Sequence, residues 1–134
     1  MKLHKLIMFG LSLLFTVSSM ANEVEIVKVK ATQSSDKTWR FDVTLKHDDK
    51  GWDDYANEWQ VIAPDNKILA TRTLYHPHVK EQPFTRSISG VKIPSELTTV
   101  RIIAKDLVHG LSDKLMKVNL KTNEQTLILI EKGK

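Results

Sequence analysis

Cysteine is absent from the 134-residue chain, and this absence excludes two means of holding a small exported protein in place. Without cysteine there are no disulfide bonds, so stability must come from an apolar core. Acylation of an N-terminal cysteine is also impossible, so we expect no lipid anchor of that kind.

Long apolar runs are lacking after residue 17. Before it, Lys2 and Lys5 precede an apolar stretch over residues 6–17, and small residues follow at Ser19 and Ala21. This order predicts a signal peptide over residues 1–21, cleaved after Ala21, and a periplasmic or secreted protein. The stretch is shorter than the roughly 20 residues of a membrane span, and we expect no span after cleavage.

An excess of one charge is also lacking. The whole chain has a net charge of +4, and residues 22–134 contain 18 basic and 16 acidic side chains. No cluster of lysine and arginine occurs, which argues against a nucleic-acid partner. The length of residues 22–134 predicts one domain.

Helical periodicity is missing, and strand patterns dominate. Residues 39–46 alternate strictly between apolar and polar, which is typical of a strand with one buried face. Seven such strands predict an all-β fold, an immunoglobulin-like antiparallel β-sandwich, with an eighth strand in the tail 122–134. The predicted strands are 24–31, 38–46, 57–63, 67–74, 85–91, 99–106 and 114–121. The predicted core contains Trp39, Phe41, Val43, Leu45, Trp59, Val61, Val100, Ile102 and Ala104.

The direction of these strands places three connections at one end of the sandwich. Because each antiparallel strand reverses the chain, the loops 47–56, 75–84 and 107–113 should lie together. The histidines of residues 22–134 all fall in these loops, and they are His47, His76, His78 and His109.

The segment His76-Pro77-His78 indicates a metal site. Pro77 favours an extended backbone at His76, and residues two apart in an extended chain face the same side. Two imidazoles there, with His109 and His47 from neighbouring loops, suit copper or zinc. We therefore predict a non-enzymatic binding protein with these four histidines as metal ligands.

Two alternatives stay open. The histidines can anchor the loops through hydrogen bonds, in which case Trp52, Tyr55 and Tyr75 would bind a protein partner. Catalysis is the weaker alternative, because the chain has no nucleophile elbow and no metalloprotease motif. The acidic residues 48–54 lack the spacing of an EF-hand.

The segment His-Pro-His-Val-Lys-Glu-Gln-Pro-Phe-Thr-Arg at residues 76–86 resembles one found in a family of small exported proteins of Gram-negative bacteria. Residues 51–56 and 106–110 share the resemblance, which covers about residues 24–121. The family has Pro-Asp-Gly where this chain has Pro-Asp-Asn at residues 64–66. The resemblance implies an exported location and no particular activity.

Overall fold

The computed structural model describes residues 22–130, and these residues form nine β-strands in two antiparallel sheets. The predicted signal peptide 1–21 lies outside the described residues, as do residues 131–134. The strands are β1 (Glu25–Gln33), β2 (Trp39–Lys46), β3 (Ala56–Ile62), β4 (Ile68–Thr73), β5 (Phe84–Val91), β6 (Thr99–Asp106), β7 (Gly110–Leu111), β8 (Lys114–Asn119) and β9 (Gln125–Leu129).

The smaller sheet has the order β1-β2-β5, and the larger has the order β4-β3-β6-β8-β9, with β7 paired to β6. The predicted all-β class is confirmed. The strand count is nine instead of seven or eight, because the two-residue strand β7 lies within the predicted loop 107–113. Residues 22–130 contain no helix that is long and apolar enough to cross a membrane.

The apolar core lies between the two sheets and contains the predicted residues. Alternation works as expected on β2, where Phe41, Val43 and Leu45 are fully buried, while Trp39 at its start is half-buried. On the facing sheet, Trp59 and Ile102 are equally enclosed. The hydrophobic effect on these inward rows therefore holds the sheets together.

The tail beyond β8 returns as β9 and also closes the outer edge of β1. The side-chain amide of Asn123 accepts a hydrogen bond from Ala31 N at 2.8 Å and donates one to Ala31 O at 3.1 Å. Gln125 accepts from Val29 N at 2.8 Å and donates to Val29 O. These two amides occupy backbone groups of β1 that another strand would otherwise pair with.

The three histidine-bearing connections meet at one end of the sandwich, as the strand directions predicted. His78 N donates to Asp49 Oδ2 at 2.7 Å, which joins the β4–β5 connection to the β2–β3 connection. Leu107 N donates to Tyr55 O at 3.2 Å, which joins the β6–β7 connection to the same loop. We call this end, formed by residues 47–55, 74–83 and 107–109, the loop end.

Candidate metal centre

His47 follows β2 directly and makes a close polar contact at each of its two ring nitrogens. Its side chain is fully buried. Nδ1 lies 2.5 Å from Asp49 Oδ1, and Nε2 lies 2.8 Å from the carbonyl oxygen of Asn22. A carboxylate and a carbonyl oxygen can only accept hydrogen bonds, so each ring nitrogen of His47 faces an acceptor.

Asp49 fixes the orientation of that ring and joins two loops. Besides His47 Nδ1, its carboxylate accepts hydrogen bonds from Ala56 N at 3.1 Å and from His78 N at 2.7 Å. Gln82 adds a second link, since its Oε1 accepts from His47 N at 2.9 Å and its Nε2 donates to His78 O at 3.0 Å. The imidazole of His47 is therefore oriented by Asp49 at Nδ1. Its Nε2 lies on the opposite side of the ring, next to the carbonyl oxygen of Asn22.

Two further carboxylates face Nε2 of His47. Asp54 Oδ1 lies 3.6 Å from it and Asp106 Oδ2 lies 3.5 Å from it. One ligand atom from each of His47, Asp54 and Asp106 lies within 4.8 Å of the other two, and this is the one group of three such residues among the described ones. We call it the metal triad.

A tight turn places the carboxylate of Asp54 at the site. Asp54 closes a tight turn in which its N–H donates to Gly51 O at 3.2 Å, and Gly51 has a φ of +134°, which favours glycine. The buried atom Asp54 Oδ1 has no hydrogen-bond partner among residues 22–130. A buried carboxylate oxygen without a hydrogen bond is costly, and a bound cation would satisfy it.

Asp106 ends β6 and is held by the connection that follows it. Its Oδ1 accepts from Val108 N at 2.9 Å and from His109 N at 2.6 Å. His109 Nδ1 lies 3.2 Å from Oδ1 and 3.3 Å from Oδ2. His109 thus positions one carboxylate of the metal triad.

His76 and His78 are adjacent but occupy different environments. Their ring centroids are 4.7 Å apart; His76 is exposed, while His78 is buried and stacks on Phe84 at 4.0 Å. Neither nitrogen of His78 has a hydrogen-bond partner among the described residues. Burial, with smaller contributions from the positive charges of Arg86 and His76, lowers the pKa of His78. Its ring is therefore neutral near pH 7.

The four predicted metal ligands lie in three different places. His47 lies in the metal triad, His109 beside it on Asp106, and His76 and His78 form a pair outside the group. The sequence prediction left out Asp54 and Asp106. A signal for Asp106 was available, since it continues the inward row Val100, Ile102 and Ala104 of β6.

The exposed aromatic residues also lie at the loop end. Trp52 is 67% exposed and Tyr75 is 74% exposed. Tyr55 is half-buried and meets Trp52 edge-on, with ring centroids 5.9 Å apart. The loop end therefore combines a buried polar interior with aromatic side chains on its outer surface.

Comparison with known proteins gives one curated relative. A protein of the archaeon Halomicrobium mukohataei, named "Putative lipoprotein", is 36% identical over 97 residues, which cover 72% of this chain and 47% of that protein. The chain thus spans about half the length of this relative. No protein-family model matches the chain, and no solved structure matches it significantly.

Proposed function

We propose that this is an exported, non-enzymatic binding protein that holds a divalent transition metal ion, zinc(II) or copper(II), at His47, Asp54 and Asp106. The observation that carries the proposal is the convergence of one imidazole nitrogen and two carboxylate oxygens within 4.8 Å. Imidazole and carboxylate together suit zinc, and copper(II) competes well for the same donors. The absence of sulfur ligands in the triad argues against copper(I).

The spacing of the donors fits a single ion. Zinc ligands stand at about 2.0–2.2 Å, so two of them at a tetrahedral angle are about 3.4 Å apart. The separations from His47 Nε2 to Asp54 Oδ1 and Asp106 Oδ2 are 3.6 and 3.5 Å. A metal can therefore bind between these atoms with little movement of the three side chains.

The surroundings of the triad are those that a metal site needs. A ligating histidine usually donates its other ring N–H to a carboxylate, which sets its tautomer and direction. Asp49 does this for His47 at 2.5 Å, and His109 supports the carboxylate of Asp106. In the metal-bound form the charges of the two ligating carboxylates would balance a divalent ion.

Export is supported by three observations. The N-terminal sequence has the order of a signal peptide with cleavage after Ala21, and the resemblance to exported Gram-negative proteins points to the periplasm. The third support is the name of the archaeal relative, "Putative lipoprotein". We further propose an immunoglobulin-like sandwich, because β1, β2 and β5 pair in one sheet while β4, β3, β6 and β8 pair in the other.

Metal titration by calorimetry tests this function. We expect wild-type protein to bind one zinc(II) or copper(II) ion at pH 7.5 and to bind it more weakly at pH 5.5, because the ligating nitrogen must be free of its proton. Asp106→Asn and Asp54→Asn should each weaken binding by more than about tenfold, since each removes a charged ligand. Asp53→Asn is the matched control, because Asp53 is an exposed carboxylate of the same loop.

The same titration decides whether His76 and His78 bind metal, as the sequence predicted. If His76→Ala/His78→Ala loses metal binding and Asp106→Asn does not, the ion is bound by His76 and His78, and the proposal that the metal triad binds it is wrong. If wild type binds neither ion better than all of these variants, the histidines and aspartates only anchor loops.

The second candidate function is protein binding by the aromatic side chains of the loop end. The observation in its favour is the exposure of Trp52 and Tyr75, since large aromatics on a surface are typical of binding sites. Under this alternative, Trp52→Ser/Tyr75→Ser removes binding to a partner and leaves metal affinity unchanged. Crosslinking in the native periplasm, with and without these substitutions, measures that loss.

A further inference from the structure

Asn22, the first described residue, forms hydrogen bonds with the β2–β3 connection of the loop end. Its side-chain Nδ2 donates to Asp48 O at 2.7 Å, and its Oδ1 accepts from Asp48 N at 3.1 Å. The amide therefore pairs with both backbone groups of Asp48, as a neighbouring strand would. A weaker contact of 3.4 Å joins Nδ2 to Asp54 Oδ2.

This pairing places the backbone carbonyl of Asn22 next to His47 of the metal triad. The carbonyl oxygen lies 2.8 Å from His47 Nε2, the same atom that Asp54 and Asp106 face. A carbonyl oxygen is an uncharged donor that binds divalent ions. The oxygens of Asn22, Asp54 and Asp106 thus all lie within 3.6 Å of His47 Nε2, although Asn22 and Asp106 are more than eighty positions apart in the chain.

We propose that the carbonyl oxygen of Asn22 is the fourth metal ligand and that the Asn22 side chain is the clamp that holds it in place. This inference rests on the proposed metal function. The resulting donor set is one imidazole nitrogen, two carboxylate oxygens and one carbonyl oxygen.

The position of Asn22 ties the site to the N-terminus. With cleavage after Ala21, Asn22 becomes the first residue of the exported chain. The clamp then requires that Asn22 is retained, because a chain that begins at Glu23 has neither the carbonyl nor the amide. Removal of one residue should therefore weaken metal binding without changing any side chain of the metal triad.

Asn22→Ala is the main test, and Asn123→Ala is its matched control. Both substitutions remove an amide that brackets the N–H and C=O of one backbone residue, but Asn123 does so at Ala31 on the edge of β1. We expect Asn22→Ala to weaken zinc(II) binding by about 10- to 100-fold, with one ion still bound. Asn123→Ala should bind zinc(II) as wild type does.

Cobalt(II) absorption gives a second readout that a loss of stability would not produce. Water should replace the displaced carbonyl in Asn22→Ala, and this change of ligand should alter the visible bands relative to wild type. Wild-type affinity and an unchanged spectrum in Asn22→Ala would overturn the inference. The proposed metal function would still stand if Asp106→Asn loses binding in the same series, whereas a wild type that binds neither zinc(II) nor copper(II) overturns both.

A measurement on the wild type covers the case in which Asn22→Ala does not fold. With carbonyl-¹³C asparagine, the chain has five labelled residues, Asn22, Asn57, Asn66, Asn119 and Asn123. Zinc(II) should shift the Asn22 carbonyl resonance strongly and leave the other four nearly unchanged. An unshifted Asn22 resonance in the zinc-bound protein would contradict the inference.

Discussion

The apolar interior and the buried cluster of the loop end are continuous, yet they are stabilised in different ways. On β2 the inward row runs from Phe41 through Leu45 and continues to His47; on β6 it runs through Ala104 to Asp106. One step along each row replaces hydrocarbon by a charged or polar side chain at the same degree of burial. The core gains from area removed from water, while the cluster depends on hydrogen bonds among its buried polar groups.

The largest effect should come from the core. Phe41→Ala removes a fully buried aromatic ring and should lower the free energy of unfolding by about 3–5 kcal/mol. Urea unfolding followed by tryptophan fluorescence measures the change. Metal affinity per folded molecule should stay the same, and a loss below about 1 kcal/mol would mean that Phe41 is not a core residue.

A smaller loss in the free energy of unfolding is expected when Asp49, at the centre of the buried polar cluster, is replaced. Asp49→Asn puts an amide where three donors, His47 Nδ1, Ala56 N and His78 N, meet a carboxylate. We expect a loss of about 2–3 kcal/mol, as for hydrogen bonds to a charged group. The neighbouring exposed carboxylate gives the control, since Asp48→Asn should unfold at the same urea concentration as wild type. Equal behaviour of the two variants would show that the cluster adds nothing to stability.

Histidine 78 should make stability depend on pH. Burial lowers its pKa below the ordinary value of 6.5, so the unfolded chain takes up a proton at a higher pH than the folded one. The free energy of unfolding should therefore fall as pH is lowered from 7.5 through 6.5 to 5.5. In His78→Phe, which keeps an aromatic ring against Phe84, this decline should be smaller.

Chelator-treated protein is needed for this experiment, because a bound metal would add its own pH dependence. Exposed His76 provides the comparison, and His76→Phe should keep most of the wild-type decline, since burial is the main cause of the lowered pKa of His78. Identical slopes for wild type and His78→Phe would contradict the prediction.

The smallest effect on stability should come from the aromatic surface of the loop end. Trp52→Ser removes a ring that is 67% exposed and touches Tyr55 edge-on. We expect a loss under about 1 kcal/mol, well below that of Phe41→Ala for a side chain of larger size. A loss above 2 kcal/mol would make Trp52 a structural cover of the loop end instead of a contact surface.

Much of the fold was predictable because the alternation of apolar and polar residues along a strand shows which of its faces is buried. The alternation in residues 39–46 and 99–106 identified the inward rows, and strand reversal brought three loops to one end. Strand β7 was missed because a two-residue pairing leaves no periodic pattern. The tail could be identified as a strand, but its amide contacts to β1 depend on residues more than ninety positions away.

The candidate site was predictable only in part. Its location at the histidine-bearing loop end followed from strand direction, and His47 was among the predicted ligands. The prediction gave most importance to His76 and His78, whose spacing is visible in the sequence. Asp54, Asp106 and Asn22 have no such local pattern, although the inward position of Asp106 on β6 is a signal that sequence reasoning can use.

The sequence alone determined the strand pattern, the inward rows and the end of the sandwich at which polar side chains collect. These properties follow from the two-residue period of an extended chain and from the cost of exposing its apolar face. Only the tertiary structure decided that His47 meets Asp54, Asp106 and Asn22, while His78 packs on Phe84 without a hydrogen bond to its ring. Such contacts depend on ångström-scale distances between distant residues, and no local periodicity encodes them.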